Sequence, residues 1–377
     1  MSRVHLQPCP TYDQPAVSRA VRACFEGLPA LADRLKPGAE VLLKPNIINA
    51  KPAEMCVCTH PTVVRAVAEV ALEAGCHVTI ADEPGYAMTS DAAQLFASTG
   101  IAQACEGLPV AFDLLKRAGY RSVTVPNPLR VQELLISNRC LDADVLINLP
   151  KAKTHQQTLF TGAIKNMFGA LAPRERIRVH LLGTYEAFGD AVADIFSCCP
   201  PHVSLMDAVI GMEGKGPSRG SPRPVGCILA SEDAVALDAV AESILGYAPG
   251  EVRVTTAAAQ KGLGECDLER IEVVGAKPAQ FATSFVRPPG GVRRGFPGWL
   301  GKLMGGMIYA RPVVLADRCT RCRACANVCP RDAISFAKAA VIDYGRCIEC
   351  FCCQEVCPSE AIDTKRSYLA RKIIGRP

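Results

Sequence analysis

The sequence predicts an α/β fold class, with a large layered α/β domain that has a mainly parallel sheet, followed by a small C-terminal α+β domain. Through residues 1–275, short apolar segments typical of buried strands alternate with longer segments of helical periodicity, as in layered α/β domains. Beyond residue 312 the composition changes, because nine of the 20 cysteines lie between positions 319 and 357. The expected boundaries are 1–275 for the α/β domain, 276–312 for a linker, 313–366 for the small domain and 367–377 for a tail.

Seven segments have the strand pattern, being short, rich in Val, Ile and Leu, and mostly apolar on both faces. They are EVLLKPNI, HVTIAD, SVTVP, DVLINLP, VSLMDAVI, GCILAS and RIEVVG. Two helices are predicted between them. HPTVVRAVAEVALEAG has Pro61 near its start and Gly75 as its stop, and SEDAVALDAVAESILG has Ser231 as N-cap and Gly246 as its stop.

Composition argues against several classes of protein. No run of about 18 uncharged apolar residues occurs, so no transmembrane helix is indicated. The N-terminus MSRVHLQPCPTYDQ lacks the apolar core of a secretory signal, and a cytoplasmic location is expected. The formal net charge of +5 is mild, and neither a run of like charges nor an aromatic-basic pattern indicates a nucleic-acid partner.

Residues 287–312 are dense in Gly and Pro and carry five positive charges without an acid. Apolar residues recur within them at helical spacing, namely Trp299, Leu300, Leu303, Met304, Met307 and Ile308. We interpret this segment as a linker with a short amphipathic helix that packs between the two domains. The alternative is a membrane-surface or partner-docking helix, because apolar anchors beside Arg and Lys suit an interface.

The C-terminal cysteines form a repeat. CTRCRACANVCP begins at position 319, and CIECFCCQEVCP begins 28 residues later at position 347. The spacing C-x2-C-x2-C-x3-C-P is that of bacterial-type two-cluster ferredoxins, which this chain resembles over roughly residues 313–366. Structural zinc is the alternative, but the duplicated three-plus-one order with Pro after the fourth Cys favours iron–sulfur clusters.

This resemblance implies two [4Fe-4S] clusters and a redox partner protein. In that fold three closely spaced cysteines hold one cluster, and the fourth crosses over to the other. The implied ligand sets are Cys319, Cys322, Cys325 and Cys357 for one cluster, and Cys347, Cys350, Cys353 and Cys329 for the other. Cys352 has no counterpart in the first half, where Ala324 stands, and we interpret it as a spare packed thiol.

The first 275 residues resemble the prokaryotic family called domain of unknown function 362, which is often fused to such a ferredoxin. The match is carried by KPNI (44–47), THPTVVRAV (59–67), NLPKAKTH (148–155), TGAIKNMFG (161–169), MEGKGPSRG (212–220) and SEDAVALDAVA (231–241). The resemblance imports little chemistry, because the reaction of the family is largely unassigned. A proposed structural kinship with the lactate-racemase group is too loose to transfer residues.

Cationic and amide side chains follow several predicted strands. In open α/β sheets ligands bind outside the carboxyl ends of the strands, so these loops are expected to converge on one pocket for an anionic substrate, a carboxylate or a phosphate. The expected substrate-binding residues are Lys44, Asn46, Lys151, Lys165, Asn166, Gly214, Lys215 and Gly216, and the expected catalytic residues are Lys153 and His155. The small residues of GKGPSRG would let backbone N–H groups approach the anion, and His155 would supply a proton. The alternative is that the lysines are solvated loop charges and that His155 is structural.

The expected function is that of an iron–sulfur oxidoreductase, in which the ferredoxin domain passes low-potential electrons to an anionic substrate in the α/β domain. One alternative is a non-enzymatic electron carrier or assembly module that binds a protein or a metabolite. Another is a non-redox enzyme whose clusters are regulatory or structural. No flavin or nicotinamide fingerprint is evident in the sequence.

Overall fold

The computed structural model describes residues 1–85, 91–289 and 309–368. The predicted amphipathic helix at 299–308 and the end of the predicted tail lie outside the described residues. Within them, no helix combines the length and the apolar character that crossing a membrane requires.

The chain forms 16 strands in the described ranges, numbered here in chain order. They are β1 (Ser2–Pro8), β2 (Glu40–Pro45), β3 (His77–Asp82), β4 (Val110–Leu114), β5 (Tyr120–Thr124), β6 (Glu133–Ser137), β7 (Val145–Leu149), β8 (Lys151–His155), β9 (Leu159–Thr161), β10 (Val203–Glu213), β11 (Ser221–Ser231), β12 (Ile271–Gly275), β13 (Ala310–Val314), β14 (Ile334–Phe336), β15 (Ala340–Ile342) and β16 (Ile362–Arg366).

The α-helices in the same ranges are α1 (Gln14–Phe25), α2 (Pro29–Arg34), α3 (Pro61–Glu73), α4 (Ala92–Ser98), α5 (Ile101–Ala104), α6 (Asn138–Asp142), α7 (Ala163–Asn166), α8 (Pro173–His180), α9 (Tyr185–Cys198), α10 (Ala234–Ile244), α11 (Arg253–Gln260), α12 (Ala324–Asn327) and α13 (Cys352–Glu355). Short 3-10 turns lie at Ala53–Met55, Leu115–Ala118, Met167–Ala170, Leu268–Arg270, Pro278–Gln280 and Ala316–Arg318.

A ten-stranded sheet with the main order β12-β1-β11-β10-β7-β2-β3-β4 organises the large domain. The five adjacent strands β10, β7, β2, β3 and β4 run parallel to one another. Strand β11 is antiparallel to both of its neighbours, β10 and β1. This confirms the predicted α/β class with a mainly parallel sheet. Because β2, β3, β7 and β10 run in one direction, their carboxyl ends share one edge of the sheet.

Apolar side chains on the two faces of the sheet build two separate cores. In β2, Leu42 packs into the core that includes α7, α9, α10 and α11, whereas Val41 and Leu43 pack into the core that includes α1, α3 and α4. This alternation is the two-residue period of a strand that is buried on both faces. The large domain is therefore a three-layer arrangement with helices on both sides of the sheet.

Several local predictions differ from the structure. SVTVP does not join the large sheet, because β5 pairs with β6 in a separate hairpin. The N-cap of α10 is Asp233 rather than Ser231, since the Asp233 carboxylate accepts the N–H groups of Val235 and Ala236 at 2.9 Å while Ser231 ends β11. The sequence Lys151–His155, expected as a loop, is the buried strand β8, which pairs with β9 and β10.

The C-terminal domain pairs β13 with β16 and β14 with β15, both antiparallel. Its cysteine repeat is also a structural repeat, because α12 and α13 each contain the third cysteine of their half and each follow a residue with positive φ, Arg323 at 65° and Phe351 at 61°. Each half thus turns sharply between its second and third cysteines.

Candidate functional site

A cavity lies at the carboxyl edge of the large sheet, where the C-terminal domain packs against it. Its wall includes Lys44 at the end of β2, Asp82 at the end of β3, Lys153 on β8 and Lys165 on α7. Glu355 of α13 completes the wall from the C-terminal domain. We call this space the interdomain cavity.

Six of the ten residues expected in the pocket line the interdomain cavity, namely Lys44, Asn46, Lys153, His155, Lys165 and Asn166. Lys151 does not, although it shares β8 with Lys153. Its Nζ instead donates to Tyr12 Oη at 2.6 Å and to Asp207 Oδ2 at 2.8 Å in a separate buried network. The structure therefore does not place Lys151 with the other lysines.

Lys44 is fully buried and already has a charge partner. Its Nζ lies 2.6 Å from Asp82 Oδ1, and the other oxygen of Asp82 accepts the Ile47 backbone N–H at 2.7 Å. The pair is neutral as a unit, so Lys44 shapes the wall of the cavity but adds little net charge to it.

Three amides form a chain beside this pair. Asn46 Nδ2 donates to Asn166 Oδ1, and Asn166 Nδ2 donates to Asn148 Oδ1, each at 2.7 Å. Within the described residues, the Oδ1 atom of Asn46 is buried without a hydrogen-bond partner, as is the hydroxyl of Thr161 on the same wall. Buried polar atoms without partners are costly in a folded protein, so these two atoms are positions where a bound ligand would be held.

Three cations of the cavity wall have no ion pair in the described part of the chain: Lys153 and Arg176, which are buried, and Lys165, which is half-buried. Lys153 Nζ donates to the Val57 carbonyl at 2.6 Å. The Lys165 ammonium lies 3.9 Å from the centre of the Phe168 ring. Burial lowers the pKa of Lys153 to about 8 and also lowers the pKa of Lys165. Such groups gain from a bound anion, because it restores the favourable interactions lost on leaving water.

Arg176 was not among the expected residues. Its guanidinium donates to four backbone carbonyls, those of Glu83, Pro84, Gly169 and Leu171, at 2.7 to 3.2 Å. Arg176 lies on α8, whose sequence PRERIRVH is mostly charged and resembles a solvated helix surface. Only the tertiary structure turns this arginine inward.

His155 presents one defined ring atom to the cavity. Its Nδ1 accepts the backbone N–H groups of Gln157 and Thr158 at 3.1 and 3.3 Å. The hydrogen of the neutral ring is therefore on Nε2, which lies 3.8 Å from Glu355 Oε1. Proton donation by His155 stays a prediction. In the neutral ring, the Nε2–H group is a hydrogen-bond donor at the cavity.

Gly214, Lys215 and Gly216 do not line the cavity, contrary to the expectation of a backbone anion site. Lys215 Nζ pairs with Asp363 Oδ1 of the C-terminal domain at 2.7 Å. A Cβ at Gly216 would lie 2.0 Å from the Thr154 carbonyl oxygen, so this glycine is required by close packing against β8. The segment serves as a contact surface between the domains.

Two further side chains join the same contact surface. Arg219 donates to the backbone carbonyls of Cys357, Glu360 and Ile362, and Lys51 Nζ lies 3.3 Å from Glu360 Oε1. Cations of the large domain thus hold the C-terminal domain across the mouth of the cavity.

The eight predicted ligand cysteines surround two smaller cavities in the sets that the ferredoxin resemblance implied. One cavity is lined by Cys319, Cys322, Cys325 and Cys357. The other is lined by Cys329, Cys347, Cys350 and Cys353, with Cys352 beside them.

The surroundings of the sulfur atoms suit iron–sulfur clusters. Backbone N–H groups donate to the Sγ atoms of Cys329 and Cys357 at 3.2 Å and to those of Cys319 and Cys347 at 3.4 Å, as cluster thiolates require. Across the described residues, no three His, Cys, Asp or Glu side chains converge on a single-ion site. The thiols instead lie in two sets of four, one around each cavity, so the donor set fits a cluster at each place.

Comparisons with known proteins match both parts of the chain. A family model described as domain of unknown function (DUF362) matches residues 41–243, and one described as 4Fe-4S dicluster domain matches residues 318–361. A thylakoid-associated protein of Synechocystis sp. is 33% identical over 257 residues, which are 67% of this chain and 77% of that protein.

Two solved structures are similar to part of the fold. The lactate racemase apoprotein from Thermoanaerobacterium thermosaccharolyticum matches with a TM-score of 0.41 and 12% identity over 62% of this chain, which spans 55% of that protein. A crystal structure of a protein from Thermotoga maritima matches with a TM-score of 0.41 and 14% identity, covering 67% of this chain and 60% of that one.

Proposed function

The chain belongs to the DUF362 family and carries a C-terminal 4Fe-4S dicluster domain, and from this premise we propose that it is an iron–sulfur oxidoreductase. In this proposal the two cysteine sets bind two [4Fe-4S] clusters. The clusters pass electrons to an anionic small molecule that is held in the interdomain cavity. The substrate class is a carboxylate or a phosphate.

The observation that carries the proposal is the position of α13. This single turn of helix contains the cluster ligand Cys353 and also Glu355, which lines the interdomain cavity. One cysteine set and the cavity thus share a structural element. When bound, the clusters supply and accept single electrons, and a molecule in the cavity would lie beside one of them.

The residues of the cavity have separable roles in this proposal. Three cations of the wall attract and hold the anion, because none of them has an ion pair in the described residues: Arg176 and Lys153, which are buried, and Lys165, which is half-buried. His155 Nε2 donates a hydrogen bond to the substrate or a proton to it.

Two further groups orient the ligand. The Thr161 hydroxyl and the Asn46 carbonyl oxygen offer hydrogen bonds that no group in the described part of the chain uses. The Lys44–Asp82 pair fixes the wall between β2 and β3.

The test compares Arg176→Met and Lys165→Met with Arg174→Met, an exposed arginine on the same helix as Arg176. Loss of one charge-assisted hydrogen bond should weaken binding of the active members of a carboxylate and phosphate panel by about 1.5–3 kcal/mol, roughly ten- to a hundredfold. Arg174→Met should bind like the parent protein. Single-turnover reoxidation of photoreduced clusters by the same compounds is measured on the same samples.

The second candidate function is a non-enzymatic electron carrier. It gains if no compound of the panel binds or speeds cluster reoxidation in the parent protein while the clusters remain intact. Parent-like affinity and reoxidation in Arg176→Met and Lys165→Met would remove the anion-binding role of the cavity.

A further inference from the structure

The two cysteine sets differ in their exposure to solvent. Cys322 is the one exposed cysteine among the 20 in the chain. In the other set, Cys350 and Cys353 are buried. Cys353 lies on α13, and this helix faces the large domain through Glu355. A redox protein in solution therefore has closer access to the set that contains Cys322.

The surface around Cys322 is strongly basic. Residues 318–331 contain four arginines and no acid, although Asp317 and Asp332 flank them. The exposed cations close to this set in the sequence or at its cavity, which we call the basic face, are Arg318, Arg321, Arg323 and Lys338, whereas Arg331 lines the cavity of the other set. None of the four has an ion pair within the described ranges. Their charge is thus available to a partner.

The basic face is also ordered around the cysteines. Arg321 and Arg323 line the cavity of the Cys319 set, and the Arg323 guanidinium lies 5.5 Å from the centre of the Phe336 ring, which lines the same cavity. Lys338 lies in the turn between β14 and β15, two residues before Ala340, whose N–H donates to Cys319 Sγ. Charge and access to the sulfur atoms therefore coincide on one surface.

We propose that the basic face docks an acidic one-electron carrier protein. The carrier loses one electron, the iron–sulfur centre held by the Cys319 set gains one, and no proton moves with it. Complementary charge would speed the encounter and orient the redox centre of the carrier toward Cys322. This inference rests on the proposed clusters and adds a direction, because electrons then arrive on the basic face and leave toward the interdomain cavity on the other side.

A protein carrier fits this face better than a nucleic acid or a lipid surface does. Transfer requires a donor centre brought close to Cys322, and phosphate backbones and lipid headgroups have no such centre. The charges are also few and gathered around one exposed cysteine, which suits a small docking patch.

The experiment uses the full-length holoprotein and the hydroquinone form of an acidic flavodoxin as the probe. Stopped-flow absorbance follows the oxidation of the flavin to its semiquinone as the clusters are reduced. The variant Arg321→Glu/Arg323→Glu is compared with Arg19→Glu, which changes an exposed charge on α1 of the large domain. At low ionic strength the second-order rate constant of the double variant should fall by about tenfold or more, since steering of this kind commonly contributes 10- to 1,000-fold.

Salt provides an independent check. The rate difference between parent and double variant should shrink as ionic strength rises toward about 0.5 M, because the charges are then screened. Arg19→Glu should stay within about twofold of the parent at every salt concentration. The affinity for oxidised flavodoxin, measured by calorimetry, should fall in parallel with the rate.

Iron content and spin integration after photoreduction distinguish failure of the proposed function from failure of the docking proposal. Absence of clusters in the parent protein would sink the proposed function itself. Intact clusters with parent-like rates and affinity in the double variant would sink only the docking proposal. If the double variant loses iron, Lys338→Glu and Arg318→Glu replace it. A double variant that loses binding to anionic vesicles but keeps its flavodoxin kinetics would assign the face to lipid and overturn the proposal.

Discussion

Replacing Lys44 by Met should reveal whether this lysine is a structural ion-pair partner rather than a substrate-binding charge. The change keeps most of the apolar stem but leaves Asp82 buried at 2 % exposure with the Ile47 N–H, at 2.7 Å, as its remaining partner among the described residues. Removing one member of a buried pair typically costs about 3–5 kcal/mol, because the remaining charge stays desolvated. The free energy of unfolding should therefore fall by roughly that amount.

The assay is anaerobic denaturant unfolding of the holoprotein, followed by far-UV circular dichroism. Asp82→Asn should also destabilise the protein, whereas Lys44→Met/Asp82→Asn should recover part of the loss because no unpaired charge remains. Arg3→Met is the control, since the Arg3 guanidinium lies 2.7 Å from Glu272 and both side chains are exposed, at 60% and 45%. It should cost less than about 1 kcal/mol. If the free energy of unfolding of Lys44→Met falls by less than about 1 kcal/mol, Lys44 is not a structural ion-pair partner, and it is again a candidate anion-binding residue.

Three other predictions follow from the same structure. Anaerobically purified protein should contain about eight Fe and eight sulfide per chain; stoichiometric zinc without sulfide, by elemental analysis, would contradict both ligand sets. Burial lowers the pKa of His60 to about 4 from 6.5, so His60 of the unfolded chain takes up its proton at a higher pH than His60 of the folded chain. The free energy of unfolding should therefore decrease as pH falls from about 6.5 to 4. In parallel unfolding experiments His60→Gln should flatten that part of the pH curve, and an unchanged curve would contradict the prediction. Gly216→Ala places a Cβ 2.0 Å from the Thr154 carbonyl, so it should shift β8 against the domain contact and weaken protection of the interdomain cavity in hydrogen exchange, whereas full protection would show that the backbone adapts.

The sequence was sufficient for features that depend on local pattern. The alternation of buried strands and helices predicted the α/β class, and the cysteine spacing predicted two sets that the fold gathers around two cavities. In each case residues of one type recur at a fixed spacing along the chain. A short stretch of sequence is therefore enough to predict the local structure.

Features that depend on long-range packing were out of reach. Arg176 was missed because its helix reads as polar, and Glu355 was missed because it lies near a cysteine ligand in a domain expected to be separate. Lys151 was expected in the pocket because it follows the predicted strand DVLINLP together with Lys153, yet Asp207, 56 residues away, neutralises it elsewhere. Which carboxylate meets which lysine is set by strand order, and strand order cannot be read from a single sequence.

The contribution of Glu355 to the cavity wall has a consequence for biosynthesis. The large domain emerges from the ribosome before residues 347–357 and has its own core. Until the C-terminal domain docks, the cavity lacks the part of its wall that Glu355 provides. If docking requires the clusters that we propose, the supply of iron and sulfide sets the moment at which the chain matures, and a chain deprived of them presents an open cationic cleft to the anions of its surroundings.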